Sequence, residues 1–304
     1  MRISTNTIFE AGINRISDLQ TALAKTQQQL STNSRILSPS DDPVGAAHAL
    51  DVSQAQAIGA QFTANRQTAR SQLSTVETTL SSITDLLISV KSSVIGAGNA
   101  SLDDTQRGFL ASELQGNLEQ LIGLANTSDA NGHHIFAGFN TGTAPFTQTA
   151  TGATYQGDQG QRMIQVSSSR QISMSDSGDS VFQAGGQDVF KTLTDLVTLL
   201  KTPTTTAAAS AALTAGLATA NTGIQNVTDT VMTTRSSVGT RLKELDALDT
   251  EGSARDLQYA QSLSNYQDLD YAKAISELSQ QQMTLEAAQK SFVAITGLSL
   301  FKLL

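Results

Sequence analysis

The chain has no cysteine, which removes disulfides, thiolate chemistry and cysteine-ligated metals together. Tryptophan is absent too, and aromatic residues make up only 5% of the sequence. Charge is scarce: Asp, Glu, Lys and Arg account for 15% of residues, against about 25% in an ordinary globular domain. Ser, Thr, Gln and Asn supply the missing polarity, a composition suited to surfaces that pack against other chains. Acidic residues number 27 and basic ones 19, a net charge of −8, which excludes a nucleic-acid partner needing a basic footprint. No apolar run approaches the roughly 20 residues that span a bilayer, so no membrane insertion is expected. The start, Met1-Arg2-Ile3-Ser4-Thr5-Asn6, lacks the apolar stretch of a cleaved secretory signal. The expectation is a protein that stays in the cytoplasm or leaves it without such a signal.

Catalytic constellations are missing as well. The three histidines are His48, His133 and His134. His133 and His134, beside Asp129, read as a solvated turn, because adjacent residues rarely point at one ion. His48 has no carboxylate or histidine at a ligand spacing. No HExxH, GxSxG, phosphate-loop or dinucleotide fingerprint occurs. Asp176-Ser177-Gly178-Asp179 echoes a calcium loop without the later glutamate. The sequence therefore predicts no enzyme, no catalytic residue, no metal and no cofactor.

What is present is helical periodicity. Phe9, Ile16, Leu23, Leu30 and Leu37 recur every seven residues, the mark of a coiled-coil seam, and predict one helix over the first 37 residues. The companion positions Gln20, Gln27 and Ser34 are polar, so the stripe is narrow. Ser38-Pro39-Ser40-Asp41-Asp42-Pro43 then reads as a hinge. Asp42 suits a helix cap, and Pro43 suits the first helical position, where no amide donor is needed. Arg35, just before it, reads either as a solvated helix-end cation or as an ion partner of Asp41 or Asp42 of a neighbouring or the same chain.

Ala69, Leu73, Val76, Leu80, Ile83, Leu87, Val90 and Val94 alternate steps of four and three. A helix from 43 to 95 would be about 80 Å long. After Gly96-Ala97-Gly98-Asn99, Ser101 and Asp104 suggest a capping box, and Leu110, Leu114, Leu118 and Leu121 predict an antiparallel return. Near Asn131 the composition shifts. His134–Phe139 reads as the first piece of a β-hairpin or small sheet, and Ile164 and Val166 predict a strand paired with one carrying Ile172 and Met174. Helix resumes with Phe190, Leu193, Val197 and Leu200, then with Leu217, Ile224, Val231, Val238 and Leu245 every seven residues. Gly252 interrupts the pattern. A last helix carries Leu257, Tyr271, Leu278, Leu285 and Phe292 on one heptad row, and the chain ends on apolar Leu298, Leu300, Phe301, Leu303 and Leu304.

The layout is palindromic: helix, long helix, β insert, long helix, helix. The predicted fold is mainly α, a long antiparallel coiled-coil rod built from the N- and C-terminal halves with a small β-rich insert. The terminal helices are natural partners. Their narrow seams are too thin to offset the entropy of ordering each helix alone. Both ends are thus expected to be disordered in the free monomer and to order against neighbouring copies.

Arg2-Ile3-Ser4-Thr5-Asn6, Arg35–Pro43, Asn131–Gly138, Leu269-Asp270-Tyr271-Ala272, Ile275–Leu278 and Gly297–Phe301 together resemble the bacterial flagellin superfamily, and within it the hook–filament junction type. The resemblance is strong at both ends and loose through the β insert. It implies an inner coiled-coil domain of residues 1–42 and 253–304, a helical rod domain of 43–140 and 185–252, and an outer β domain of 141–184. It implies a structural adaptor that assembles as a ring with copies of itself, contacts the FlgK-type junction protein and templates flagellin. Export would run through the flagellar type III channel to the extracellular flagellum, with a chaperone on the C-terminal helix. The alternative within the superfamily is flagellin, the filament subunit.

Overall fold

Apolar residues spaced by threes, fours and sevens give each long helix one sticky stripe, and the architecture follows from how those stripes find partners. A computed structural model describes residues 5–301; the Met1–Ser4 start and Leu303 and Leu304 lie outside the described residues, as do the side chains of Leu298, Leu300 and Phe301. The elements are α1 (Thr5–Thr32), α2 (Pro43–Ala97), α3 (Asp104–Ala125), β1 (Phe146–Thr149), β2 (Gly152–Tyr155), β3 (Met163–Ser167), β4 (Arg170–Ser173), α4 (Gly178–Phe182), α5 (Val189–Lys201), α6 (Ala207–Gln267) and α7 (Tyr271–Phe301). This is the mainly helical fold with a small β insert that the periodicity predicts. The chain divides into two compact units, one of Met1–Ile58 with Ser253–Leu304 and one of Gly59–Gly252.

The Gly59–Gly252 unit holds the main core. The α2 row from Ala69 to Val94 is buried throughout, joined by Leu114, Leu118 and Leu121 of α3 and by Leu193 and Leu200 of α5. The α6 heptad Leu217, Ile224, Val231, Val238 and Leu245 is buried with them. Among the described residues α2 is the one helix long and apolar enough, by length and composition, to cross a bilayer, although no unbroken apolar run of about 20 residues occurs in it. Its apolar row is taken up by the core. Four of the few aromatics gather beneath the insert: Phe136 meets Phe182 edge-on at 5.4 Å, and Phe146 lies 5.5 Å from Phe182 and 4.8 Å from Phe190. Such pairs add about 0.5–1.5 kcal/mol each beyond burial.

The insert consists of two antiparallel hairpins. β1 pairs with β2, matching Phe146 to Tyr155, and β3 pairs with β4, matching Ile164 to Ile172. The second is the predicted hairpin, with Met174 just past its end. The predicted strand over His134–Phe139 does not form. Gly138 sits at φ +70°, and the amides of Phe139, Asn140 and Gly160 donate to the Asp158 carboxylate at 2.9, 3.0 and 2.7 Å. Those amides are thereby withdrawn from any ladder, and their bonds hold the Asp158 carboxyl below its usual range.

Three helix boundaries also differ from the periodicity. α1 ends at Thr32, not at 37, because Asn33 turns to φ 52°. α3 is capped by Asp103, whose carboxylate accepts the Gln106 amide at 2.7 Å while the Gln106 side chain accepts the Asp103 amide at 3.0 Å. Ser101 is not the cap. α6 runs straight through Gly252 to Gln267, so the last helix begins only at Tyr271.

Gly252 has a packing reason instead. A Cβ there would lie 2.7 Å from Nη2 of Arg66. Arg66 is 5% exposed, ion-paired with Asp249, and donates to the Val166 carbonyl at 3.1 Å and to the Thr63 hydroxyl at 2.9 Å. A guanidinium so pinned cannot step aside cheaply. Gly252→Ala should therefore lower stability by about 1 kcal/mol, the overpacking cost outweighing the gain in helix propensity. Urea unfolding followed by circular dichroism checks this, and a more stable variant would refute it.

Candidate assembly surface

Within the Met1–Ile58 and Ser253–Leu304 unit, α1 and α7 lie antiparallel along one shared seam. The rings of Phe9 and Phe292 are 5.1 Å apart. Gly12 makes room for them, since a Cβ there would come within 2.6 Å of the Phe292 ring. Midway, Leu19 faces Glu277, Gln280, Gln281 and Thr284 across a shallow cleft. At the far end the Tyr271 hydroxyl donates to the Leu30 carbonyl at 2.8 Å.

The predicted seam residues gather here but none is fully buried. Ile16, Leu23 and Leu30 of α1 and Leu278, Leu285 and Phe292 of α7 are half-buried. Phe9 is 44% exposed and Tyr271 49%. Leu37, beyond the end of α1, is half-buried in the hinge, with its amide donating to Asp41 at 3.2 Å. The fully buried residues described in this unit are small: Thr26, Gly45, Ala49 and Ala274. Ile275, Met283, Val293 and Ile295 add further exposed apolar surface on α7. Among the described residues, eleven of the seventeen exposed large apolar side chains fall in this unit, which holds little more than a third of the chain. Periodicity located the first row; Met283 and Val293 on this outer surface share no heptad position with it and were not singled out.

The hinge between α1 and α2 is held by two carboxylates. Asp41 pairs with Lys25 at 2.6 Å and accepts the amides of Leu37 and Ser38 at 3.2 and 3.1 Å. Asp42 accepts the Gly45 amide at 2.9 Å, and its other oxygen meets Arg35 Nη2 at 2.9 Å. Pro43 is the first residue of α2, and Pro39 lies exposed in the turn closed by the Asp41 amide on the Ser38 carbonyl at 3.0 Å. Of the two readings of Arg35, the ion pair with Asp42 of the same chain is the one observed.

Arg35 does more than its sequence context indicates. Its amide donates to the Gln267 carbonyl at 2.7 Å and Nη2 to the Tyr266 carbonyl at 2.9 Å. Both acceptors are backbone groups 231 or more positions away, for which side-chain types give no signal. Asp270, which accepts the Lys273 amide at 3.1 Å, caps α7 in the manner of an N-cap carboxylate.

Among the described residues no three His, Asp or Glu side chains converge as metal ligands. His133 Nδ1 stands 3.7 Å from Asp129, and His134 Nδ1 lies 2.7 Å from the Asn126 carbonyl, both in a local turn.

The model of the bacterial flagellin N-terminal helical region matches residues 3–141. Flagellar hook-associated protein 3 of Escherichia coli (strain K12) is 36% identical over 317 residues, spanning 100% of this chain and 99% of that protein. Its counterpart in Salmonella typhimurium (strain LT2) is 36% identical over 315 residues, with the same coverage. Among solved structures, FlgL of Xanthomonas campestris superposes with a TM-score of 0.65 at 19% identity, over 70% of this chain and 99% of that one. The flagellar junction protein FlgL of Legionella pneumophila gives 0.63 at 20% identity, over 73% and 100%. At those identities the superpositions establish the fold.

A pH dependence follows from the hinge carboxylates. The Lys25 bond first and then the Ser38 amide hold Asp41 below its ordinary 3.8; the Gly45 amide first and then Arg35 do the same for Asp42. Because the folded values are depressed, the stabilisation is present above the ordinary carboxylate range and is lost as pH falls through about 4 and below. Amides of Leu37, Ser38 and Gly45 should lose protection in that window. Unchanged NMR shifts for these amides between pH 6 and pH 3 would contradict this.

Proposed function

Because the chain belongs to the flagellar hook-associated protein 3 (FlgL) family, the hook–filament junction proteins of the bacterial flagellum, we propose that it joins hook to filament by intermolecular packing of its two terminal helices. It is a structural component of the flagellum, not an enzyme, and it associates with other flagellar components. The packing residues are Phe9, Ile16, Leu23, Leu30, Tyr271, Leu278, Leu285 and Phe292, with Leu37 at the hinge end and Pro39, Asp41, Asp42 and Pro43 forming the hinge. Copies assemble as a ring, meet the FlgK-type junction protein on one side and present a template for flagellin on the other. Residues 1–42 and 253–304 serve as the inner assembly domain, 43–140 and 185–252 as the rod, and 141–184 as the outer β domain. The protein reaches the extracellular flagellum through the type III channel, with an export chaperone covering α7 beforehand.

One observation carries this reading: the α1–α7 seam is half-buried in a single chain, with Phe9 and Tyr271 nearly half exposed. A helix pair needs further helices around it to bury such a seam, and copies of the same pair are the simplest source. The same thinness supports mobile α1 and α7 helices in the free monomer. Full-length similarity to hook-associated protein 3 favours a junction protein over a filament subunit.

Leu23→Glu or Leu285→Glu should leave a folded, soluble monomer that does not assemble, and cells making only that variant should shed flagellin into the medium. Normal filaments on such cells would refute the proposal. Hydrogen exchange on the wild-type monomer should find fast amides along α1 and α7 and slow ones at Leu80 and Val231; uniform protection would count against mobile ends.

A further inference from the structure

The two helix breaks of the terminal unit, Asn33–Asp42 and Asp268–Asp270, are stitched to each other rather than lying apart. Ser34 forms a backbone bridge with Asp268. Arg35 ties its amide to Gln267 and its guanidinium to both Tyr266 and Asp42. Its carbonyl accepts the Gln29 side-chain amide at 2.7 Å. Tyr266 and Gln267 belong to the last turn of α6, whose carbonyls have no partner within the helix. A cation placed there also meets the negative end of the helix dipole.

The two sides of this junction differ. Toward the start of α2 and the end of α6, Gly45 and Ala49 are fully buried and His48 stacks on Tyr266 at 5.5 Å. Toward α1 and α7, only Thr26 and Ala274 among the described side chains are buried, and every large one described is partly wet. Arg35 stands between the two.

We propose that Arg35 is a clasp at which loosening of the terminal helices stops, so that α1 and α7 detach together from a junction that stays closed between residues 33–42 and 266–268. This rests on the reading that α1 and α7 are mobile in the free monomer. The clasp keeps the helix ends in register for assembly. It is a positioning device, distinct from the apolar seam itself.

The test is hydrogen exchange on the full-length monomer, comparing wild type, Arg35→Ala and Arg35→Lys. In wild type, amides of residues 43–58 and 253–267 should exchange slowly. In R35A they should exchange about tenfold faster, the effect expected from losing charge-assisted bonds in a half-exposed setting. R35K keeps the charge but not the planar fork and should recover part of the protection. Wild-type rates in R35A would overturn the clasp, as would acceleration extending to Leu217–Leu245, which signals general destabilisation. If α1 and α7 prove protected in wild type, mobile ends are refuted, while the R35A comparison at 43–58 still decides the clasp.

Discussion

Two helices laid side by side bury one stripe each and leave the rest of their surfaces wet. That geometric limit governs the terminal unit, where Leu23, Leu278 and Leu285 reach only half burial. The same residue types at the same spacing behave differently elsewhere. Leu80, Ile224 and Val231 are fully buried because α2, α3, α5 and α6 share one core. Full burial of such a side chain contributes about 1.5–3 kcal/mol, and ordering each backbone residue costs about 1–2 kcal/mol. The long core helices meet that cost with several partners; a lone pair does not.

Where apolar contact is thin, directional polar bonds fix geometry instead. In the terminal unit they come from Tyr271 on Leu30, Lys25 on Asp41, and Arg35 on the end of α6. In the Gly59–Gly252 unit charged pairs flank a core that is already closed, and Arg66 on Asp249 is itself covered. Arg170 meets Glu244 at 2.5 Å, and Arg241 meets Asp176 through two bonds of 2.9 Å, fastening the β insert to α6. The exposed Arg170–Glu244 pair contributes little to stability, whereas the Arg241–Asp176 pair is largely covered. Their effect is to select one register among several that a smooth apolar stripe would allow.

Most of the helical fold was legible because the cause of each long helix is local: a period repeated over many residues. The α6 heptad from Leu217 to Leu245 and the α2 row from Ala69 to Val94 needed only spacing. The misreadings share the opposite character. Asn33 ends α1 by adopting a left-handed conformation that a polar residue between Thr32 and Ser34 does not announce. Gly252 looks like a breaker, yet it accommodates Arg66, which lies 186 positions earlier. His134–Phe139 has the composition of a strand but is held irregular by Asp158. The β1–β2 hairpin was hidden because its Thr- and Gly-rich segments alternate too weakly. In the candidate surface, the heptad row was readable and the backbone acceptors of Arg35 were not.

The low charge of the whole chain has a counterpart in the terminal helices. Between Thr5 and Thr32 the charged residues are Glu10, Arg15, Asp18 and Lys25; between Tyr271 and Phe301 they are Lys273, Glu277, Glu286 and Lys290. Each helix is thus neutral, and the net −8 is carried outside them. Around these charges the polar positions are filled by Gln20, Gln27, Gln280, Gln281 and Gln282. Amides can be covered by a neighbouring helix at the cost of finding one new hydrogen bond, whereas a covered lysine or glutamate must lose far more hydration. Neutral helices also meet identical copies without like-charge repulsion. A helix pair that is half apolar, uncharged on balance and rich in glutamine is chemically suited to being surrounded by its own kind, and the low charge of the whole chain is what permits it.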